Sequence, residues 1–341
     1  MTDLSGRYLG LDLPHPVMVG ASPMVDDLGL VRRLEDAGAA AIVMRSLFEE
    51  EVEAEQEMSA RVREEPADSF AEALSYLPEA AATVFGPDEY LEQVRRVGEA
   101  VDIPVVASLN GTRSGRWLDW ASKLGQAGAA ALELNVYRPV TAMDTTAERV
   151  EAEVVRMVEE VVGRTTLPIA VKLSPFYTAF AAFAHRVEVA GAAGLVLFNR
   201  FFQPEVDPDT GDVRRSLPLS HRGELPLRLR WLAILSGRFR GSLAATGGVH
   251  DGFGVVQACL CGAHAVQVVS PLLRHGPEHL ATILAEVSSW LEEHEIAGLD
   301  EVRGALSLER CPDPAAYERV NYVRLLHRFD VEEPIFRETG R

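Results

Sequence analysis

Short apolar runs recur along this chain at intervals that leave room for one helix between each pair. Four of them follow the same phrase, a helix-like stretch ending in Gly-Ala and then a strand. These are AGAAAIVMRS (Ala37 to Ser46), AGAAALELNV (Ala127 to Val136), AGAAGLVLFN (Ala190 to Asn199) and CGAHAVQVVS (Cys261 to Ser270). Three related runs lie between them: IPVVASLN (Ile103 to Asn110), LPIAVKLS (Leu167 to Ser174) and SLAATGG (Ser242 to Gly248). VMVG (Val17 to Gly20) precedes them all and brings the total to eight. Parallel neighbours need a crossover of a dozen or more residues, so this alternation predicts parallel strands covered by helices. Eight such units satisfy the α/β architecture of a closed (β/α)8 TIM barrel, whose chemistry sits at the carboxyl ends of its strands.

The remaining pattern fills in around that frame. Arg7 to Leu13 alternates and predicts a short hairpin plugging the amino-terminal end of the barrel. Strand two is expected to end at Met44. Helices are predicted near 27–37, 88–100, 115–127, 146–163, 178–190, 225–236, 252–260 and 277–294. Two long loop insertions interrupt the rhythm, at 47–87 after strand two and at 201–223 after strand six. A C-terminal helical extension covers 296–341, with Asp313 as N-cap and Pro314 as first helical residue of the final helix. The whole of 1–341 reads as one domain. The first insertion opens with six glutamates between Glu49 and Glu57, which read as a solvated helix face, or as a helix that steers a partner or covers the barrel mouth. Its second half, FAEALSYLP (Phe70 to Pro78), is more apolar and is expected to line the cavity as a lid.

Composition narrows the function classes. A hydrophobic content of 47% with 25% charged residues is ordinary for a globular protein. No apolar run is long enough to cross a bilayer, and the N-terminal sequence has no secretion-signal pattern, so a cytoplasmic location is expected. Three cysteines, Cys259, Cys261 and Cys311, are too few for a disulfide framework or an iron–sulfur cluster and show no metal spacing. Against 33 Lys and Arg stand 51 Asp and Glu, a formal net charge of −18, which repels nucleic-acid backbones. Any phosphate must therefore be gripped locally, against the field of the whole molecule.

Candidate chemistry appears where the strands end. Ser22, Arg45 with Ser46, Ser108 with Asn110, Glu133 with Asn135, Lys172 with Ser174, Asn199 with Arg200, Thr246 and Ser270 supply every strand end with a polar group. A polar ligand lying across the barrel mouth accounts for all eight. Two glycines, Gly247 and Gly248, let the backbone after strand seven approach a ligand closely. The following helix is expected to aim unpaired N–H groups at the same point, which with Ser270 makes the usual phosphate site of this fold. Lys172 shares a strand face with Ala170 and Ser174, opposite the bulkier Ile169, Val171 and Leu173. It is expected to point inward, where an ammonium stabilises developing negative charge.

With these residues in view, the chain resembles the dihydroorotate dehydrogenase family of FMN-dependent barrels. The resemblance rests on GASP (Gly20 to Pro23), the Ser46 turn, ELNVYRP (Glu133 to Pro139), VKLSP (Val171 to Pro175), FNR (Phe198 to Arg200), ATGGV and CGAHAVQV, in order from Arg7 to about Leu291. It implies an oxidoreductase of pyrimidine biosynthesis with FMN over the strand ends. Ala21, Ser22, Ser46 and Asn110 would flank the ring, with Arg45 and Asn199 beside them. Asn135 would stand between ring and substrate. Lys172 would face N1 and the C2 carbonyl, and Gly223, Gly247, Gly248 and Ser270 would hold the phosphate. A homo-oligomer and a soluble electron acceptor or partner subunit are implied too.

Three departures stand out. The family's general base, a Cys or Ser three residues after the asparagine, is replaced by Arg138, and a guanidinium cannot accept a proton. Arg45 replaces the usual lysine after strand two. The segment that grips orotate has no clear counterpart. Tyr137 and Tyr76 are candidate bases, although a phenol near 10 is poorly matched to the task. Arg45 and Arg138 could clamp a carboxylate in bidentate fashion. The expectation is thus hydride transfer between FMN and a small anionic substrate. Two other readings stay open: a phosphate-binding lyase or isomerase using Lys172, and a non-catalytic flavin-binding subunit.

Overall fold

The computed structural model of the chain describes residues 2–53, 86–112, 115–200, 203–214, 218–319 and 323. Eight parallel strands close into one barrel. In chain order they are β3 (Val17–Val19), β4 (Ile42–Phe48), β5 (Val105–Asn110), β6 (Ala131–Asn135), β7 (Ile169–Leu173), β8 (Gly194–Leu197), β11 (Ser242–Thr246) and β12 (Ala265–Val268). Around the ring the order is β11-β12-β3-β4-β5-β6-β7-β8, so each strand pairs with its sequence neighbours. Helices 28–36, 87–100, 120–126, 147–162, 180–189, 225–235, 252–260 and 279–293 connect the strands or close the barrel. Each lies within a few residues of its predicted span.

Alternation along the strands sorts side chains into two cores. Ile169, Val171 and Leu173 belong to the large cluster between sheet and helices, as the bulkier strand face predicts. Facing inward is a smaller cluster with one residue from each strand: Met18, Val43, Val106, Ala131, Ala170, Val196, Ala244 and Ala265. Four of these are alanines, which leaves space on the barrel axis. The antiparallel hairpin of β1 (Gly6–Tyr8) and β2 (Leu11–Leu13) fills it with Tyr8, Leu9 and Leu13. The predicted plug is therefore present.

Two residues further along, the same period of two brings Ser108, Glu133, Lys172, Thr246 and Gln267 inward. The interior thus changes from apolar to polar one layer above the plug, and that polar layer is the floor of the site.

Several expectations need correction. Strand two does not end at Met44; β4 continues to Phe48, with a register shift between Val43 and Ser46. Such an irregularity re-aims side chains, and here consecutive Arg45 and Ser46 both reach the barrel mouth while Leu47 packs outward. Glu49, expected on a solvated face, is only 4% exposed. Its carboxylate accepts from the Thr112 amide at 3.0 Å and hydroxyl at 2.6 Å, joining the loops after β4 and β5. The predicted helix at Asp313 is a single 3-10 turn, Pro314–Tyr317, without a side-chain cap bond from Asp313. The insertion after β8 carries a small hairpin, β9 (Glu205–Val206) with β10 (Val213–Arg214). The proposed lid Phe70 to Pro78, Tyr76, Glu55 and Glu57 lie outside the described residues.

His264 ties β11 to β12 at the plugged end. Its Nδ1 accepts from the Leu243 amide at 3.1 Å, and its own amide donates to the Leu243 carbonyl at 2.7 Å. Burial first, and the Arg303 charge second, pull this imidazole down to about 4. An unfolded histidine titrates near 6.5, so between about pH 4 and 6.5 the unfolded chain binds the extra proton. Stability from this site is complete above that window and is lost as pH falls through it, by about 3 kcal/mol. Denaturant unfolding at pH 7 and pH 4.5 should show a smaller stability difference in His264→Gln than in the parent chain.

Candidate active site

At the carboxyl end of the strands the barrel opens into a cavity of about 580 Å³, within the ~300–1,000 Å³ usual for small-ligand sites. Its lining takes residues from the strand ends of β4, β6, β7, β11 and β12 and from the loops after β3, β8, β11 and β12. Among the described lining residues are three cations, Arg45, Lys172 and Arg200, and no carboxylate. Each is paired with a carboxylate behind the lining, Asp26, Glu133 and Glu224 respectively, so in a chain of formal charge −18 the cavity presents the cations and not their partners to a ligand.

The floor is built round Lys172. Its Nζ lies 3.0 Å from Oε1 of Glu133, and the Gln267 amide donates to Oε2 of the same carboxylate at 2.6 Å. Glu133 is 1% exposed and Lys172 8%. Since β6 and β12 stand four places apart in the ring of eight, the Glu133–Gln267 bond spans the barrel.

One wall carries Ala21, Ser22, Ser46, Asn135 and Arg45. Ser46 shares a 2.8 Å hydrogen bond with Ser108, and Asn135 Nδ2 donates to Ser46 at 3.4 Å. Arg45 is held by Asp26 at 3.2 Å and lies 5.7 Å over the Tyr90 ring. Burial raises the Asp26 carboxyl in spite of that arginine. Tyr90 fixes the wall from behind by donating to the Arg45 carbonyl at 2.7 Å. Asn199 donates from Nδ2 to the carbonyls of Val136 and Lys172, at 2.9 and 3.1 Å, and so fixes the loops after β6 and β7.

At the opposite end lie Gly247, Ser220 and Ser270. Gly247 and Gly248 both have positive φ, +86° and +85°, which only glycine adopts without strain. Ser270 Oγ accepts from the amide and hydroxyl of Ser220 at 2.9 and 2.8 Å. Arg228, nearly buried, donates to the carbonyls of Thr246 and Glu224 at 3.0 and 2.8 Å. Arg274 reaches the Ser220 carbonyl at 3.2 Å. Burial, with Arg274 and Arg222 nearby, lowers His250 beside Ser220.

Of the residues singled out from the sequence, Ala21, Ser22, Arg45, Ser46, Asn135, Lys172, Asn199, Arg200, Thr246, Gly247 and Ser270 line this one cavity. Several others stand apart. Arg138 faces a second cavity outside the barrel mouth, paired in a close hydrogen bond with Glu153, whose carboxyl it holds low with help from Arg149. The expected Arg45–Arg138 clamp is not assembled. Tyr137 is half-buried on the loop after β6 and does not line the cavity; Asn110 is buried at the end of β5. Gly223 is exposed on a 3-10 turn, and Gly248 packs its bare Cα against Leu225 and Glu224. The helix after β11 aims no open end at the site. Its Gly252 and Gly254 amides donate to Glu286 at 2.6 Å and Asp251 at 2.8 Å.

Sequence reasoning missed Gln267, the Glu133–Lys172 pair, Ser220 and Arg228. The alternation that placed Lys172 inward also places Glu133 and Gln267 inward from Ala131 and Ala265. Ser220 and Arg228 left no such signal, because a loop and a helix bring them in.

Ser22 Oγ, Asn135 Oδ1 and Gln267 Oε1 are buried at this cavity without a hydrogen-bond partner among the described residues. Buried orphans are costly unless a ligand completes them. Their positions, the Lys172 ammonium and the serine–glycine end suit a polar ring with an anionic tail.

Fold and cavity define a TIM-barrel protein with a polar, cation-bearing cavity across its strand ends. Comparison with known proteins carries this further: the family model described as dihydroorotate dehydrogenase matches residues 7–291, and the chain belongs to that family. A protein of Aeropyrum pernix, named by inference dihydroorotate dehydrogenase A (fumarate), is 31% identical over 212 residues, covering 60% of this chain and 68% of the relative. The catalytic subunit of dihydroorotate dehydrogenase B (NAD(+)) from Geobacillus kaustophilus is 28% identical over 235 residues, or 64% and 71% of the two chains. The chloroplastic dihydropyrimidine dehydrogenase (NADP(+)) of Arabidopsis thaliana is 22% identical over 335 residues, 89% of this chain and 76% of that one. The protein is thus an oxidoreductase of a flavin-dependent family that acts on CH–CH groups.

The bare Gly248 offers a direct check. A methyl there would enter the backbone of Leu225 and Glu224, at a φ that L-residues avoid. Gly248→Ala should cost roughly 2–4 kcal/mol of stability by denaturant unfolding, whereas alanine at Gly86, where the space is open, should cost little.

Proposed function

We propose that the protein is an FMN-dependent oxidoreductase transferring hydride between the flavin and a small anionic, dihydroorotate-like substrate. The observation that carries this reading is the single cavity with three orphaned buried polar atoms, three cations and no carboxylate among its described lining residues. Bound FMN would supply the hydride-accepting and hydride-donating ring chemistry. Ser270, Ser220 and the Gly247 turn would hold the phosphate end, with Arg274 and Arg228 adding positive charge behind them. Lys172 would bring its ammonium to the ring edge where negative charge develops. Ser22, Asn135 and Gln267 have acceptor or hydroxyl atoms open to the ring or substrate. Arg45, braced by Asp26 and Tyr90, would orient a substrate carboxylate beside Asn135.

Arg138 takes no part in that geometry. In this reading a guanidinium tied to Glu153 outside the mouth serves neither as proton acceptor nor as substrate clamp. The lyase reading needs Lys172 as a free nucleophile; its Nζ is instead engaged by Glu133 Oε1 at 3.0 Å, which favours the flavin reading. The electron acceptor is read as a soluble carrier or partner subunit, by analogy with relatives such as the catalytic subunit of dihydroorotate dehydrogenase B.

Chain stripped of bound flavin should take up FMN and turn yellow, and should bind FMN more tightly than riboflavin by a margin that shrinks with salt. Anaerobic mixing with dihydroorotate and related unsaturated or saturated cyclic acids should bleach the FMN with one of them. Asn135→Ala should slow that bleaching by about 100-fold while keeping its FMN. A chain that takes up no FMN would overturn the proposal.

A further inference from the structure

Beneath the proposed ring site lies a charge arrangement that binding and hydride transfer do not by themselves require. Glu133 shares the polar layer of Lys172 and Gln267 without lining the cavity; it is 1% exposed, and each of its carboxylate oxygens has one partner. Oε1 takes Lys172 at 3.0 Å and Oε2 takes Gln267 at 2.6 Å. The charge of Glu133 is felt as far as the plug, where it is the second cause, after burial, raising the Tyr8 phenol. It also contributes to raising Tyr90 behind β5, after burial. A lysine alone could meet the ring from β7. Adding a buried carboxylate costs desolvation and offsets part of the positive charge that Lys172 presents upward.

We infer that Glu133 is a positioning residue that sets how much positive potential Lys172 presents to bound flavin, with Gln267 as the cross-barrel strut that moderates the carboxylate. This rests on the FMN reading above. Gln267 is suited to moderation: its Nε2 donates down to Glu133, while its Oε1 stays without a partner at the cavity. One planar amide thus links the carboxylate to the ring site, and its orientation is fixed by the lower bond.

Two variants shift this balance in opposite directions. Glu133→Gln removes the negative charge but keeps the shape, so Lys172 is less compensated. Gln267→Met removes the donor to Oε2, so the carboxylate pulls harder on the floor. Sulfite adds to oxidised flavin as an anion, and its affinity reports positive potential at the ring. In FMN-loaded protein, Glu133→Gln should bind sulfite about tenfold more tightly, near 1.4 kcal/mol, and should have a more positive midpoint potential. Gln267→Met should show weaker sulfite binding and a more negative potential.

A purely structural role would lower melting temperature or FMN content yet leave potential and sulfite affinity of the retained FMN unchanged. If both properties stay within twofold of the parent in both variants, the inference is overturned while the FMN reading stands. If Glu133→Gln fails to fold, the sign of the shift in Gln267→Met decides alone. If the parent chain binds no FMN, both readings fall together.

Discussion

A buried ion pair at the centre of a closed barrel constrains everything around it. Removing a carboxylate and an ammonium from water costs several kcal/mol for each ion, and attraction repays this only in good geometry with the remaining hydrogen-bonding capacity met. Glu133 meets that condition because β6, β7 and β12 each deliver one side chain to the same height. A one-residue slip of β6 would turn Glu133 into the apolar layer under the helices and bring Leu132 or Leu134 inside. Barrel register and the chemistry of the floor are therefore one requirement. The hairpin plug serves it too: Tyr8, Leu9 and Leu13 close the end below, so that the pair faces a ligand on one side only.

The distribution of charge completes that polarity. The chain as a whole is strongly acidic, yet the mouth collects Arg45, Lys172, Arg200, Arg228 and Arg274 around hydroxyls and glycines. Exposed charges beyond about 8 Å are largely screened at physiological salt. A bound anion therefore responds mainly to these near cations, not to the distant acidic surface. Such a site selects by contact and gains little from long-range steering.

Much of this was legible in the sequence because barrels write their geometry in periods. The Gly-Ala-strand phrase gave four strands and the related apolar runs the other four, and the alternation through Ala170, Lys172 and Ser174 gave the inward lysine. What stayed hidden depends on contacts between distant segments. Nothing local says that Glu49 folds back onto Thr112, or that Glu286 and Asp251 already occupy the amides at Gly252 and Gly254. The β4 irregularity was hidden for a related reason: register is a property of two strands, and one strand's pattern cannot show where an extra residue bulges. Gly223 and Gly248 illustrate the ambiguity of glycine, which serves close approach to a ligand and close packing of backbone equally well.

The separated arginines say most about chemistry. Both were candidates for one clamp, and each has its own carboxylate: Asp26 for Arg45, Glu153 for Arg138. The settings differ. Arg45 is mostly buried, stacked over Tyr90 and placed by the β4 irregularity in the cavity wall. Arg138 links the loop after β6 to helix 147–162, and so stabilises the shape of that loop. Position 138 thus serves the architecture of that loop, while Asn135, Lys172 and the serine–glycine end line the cavity. Under the proposed function these lining residues would hold the flavin. The question of how a substrate proton moves would then centre on the wall where Arg45, Ser46 and Asn135 meet.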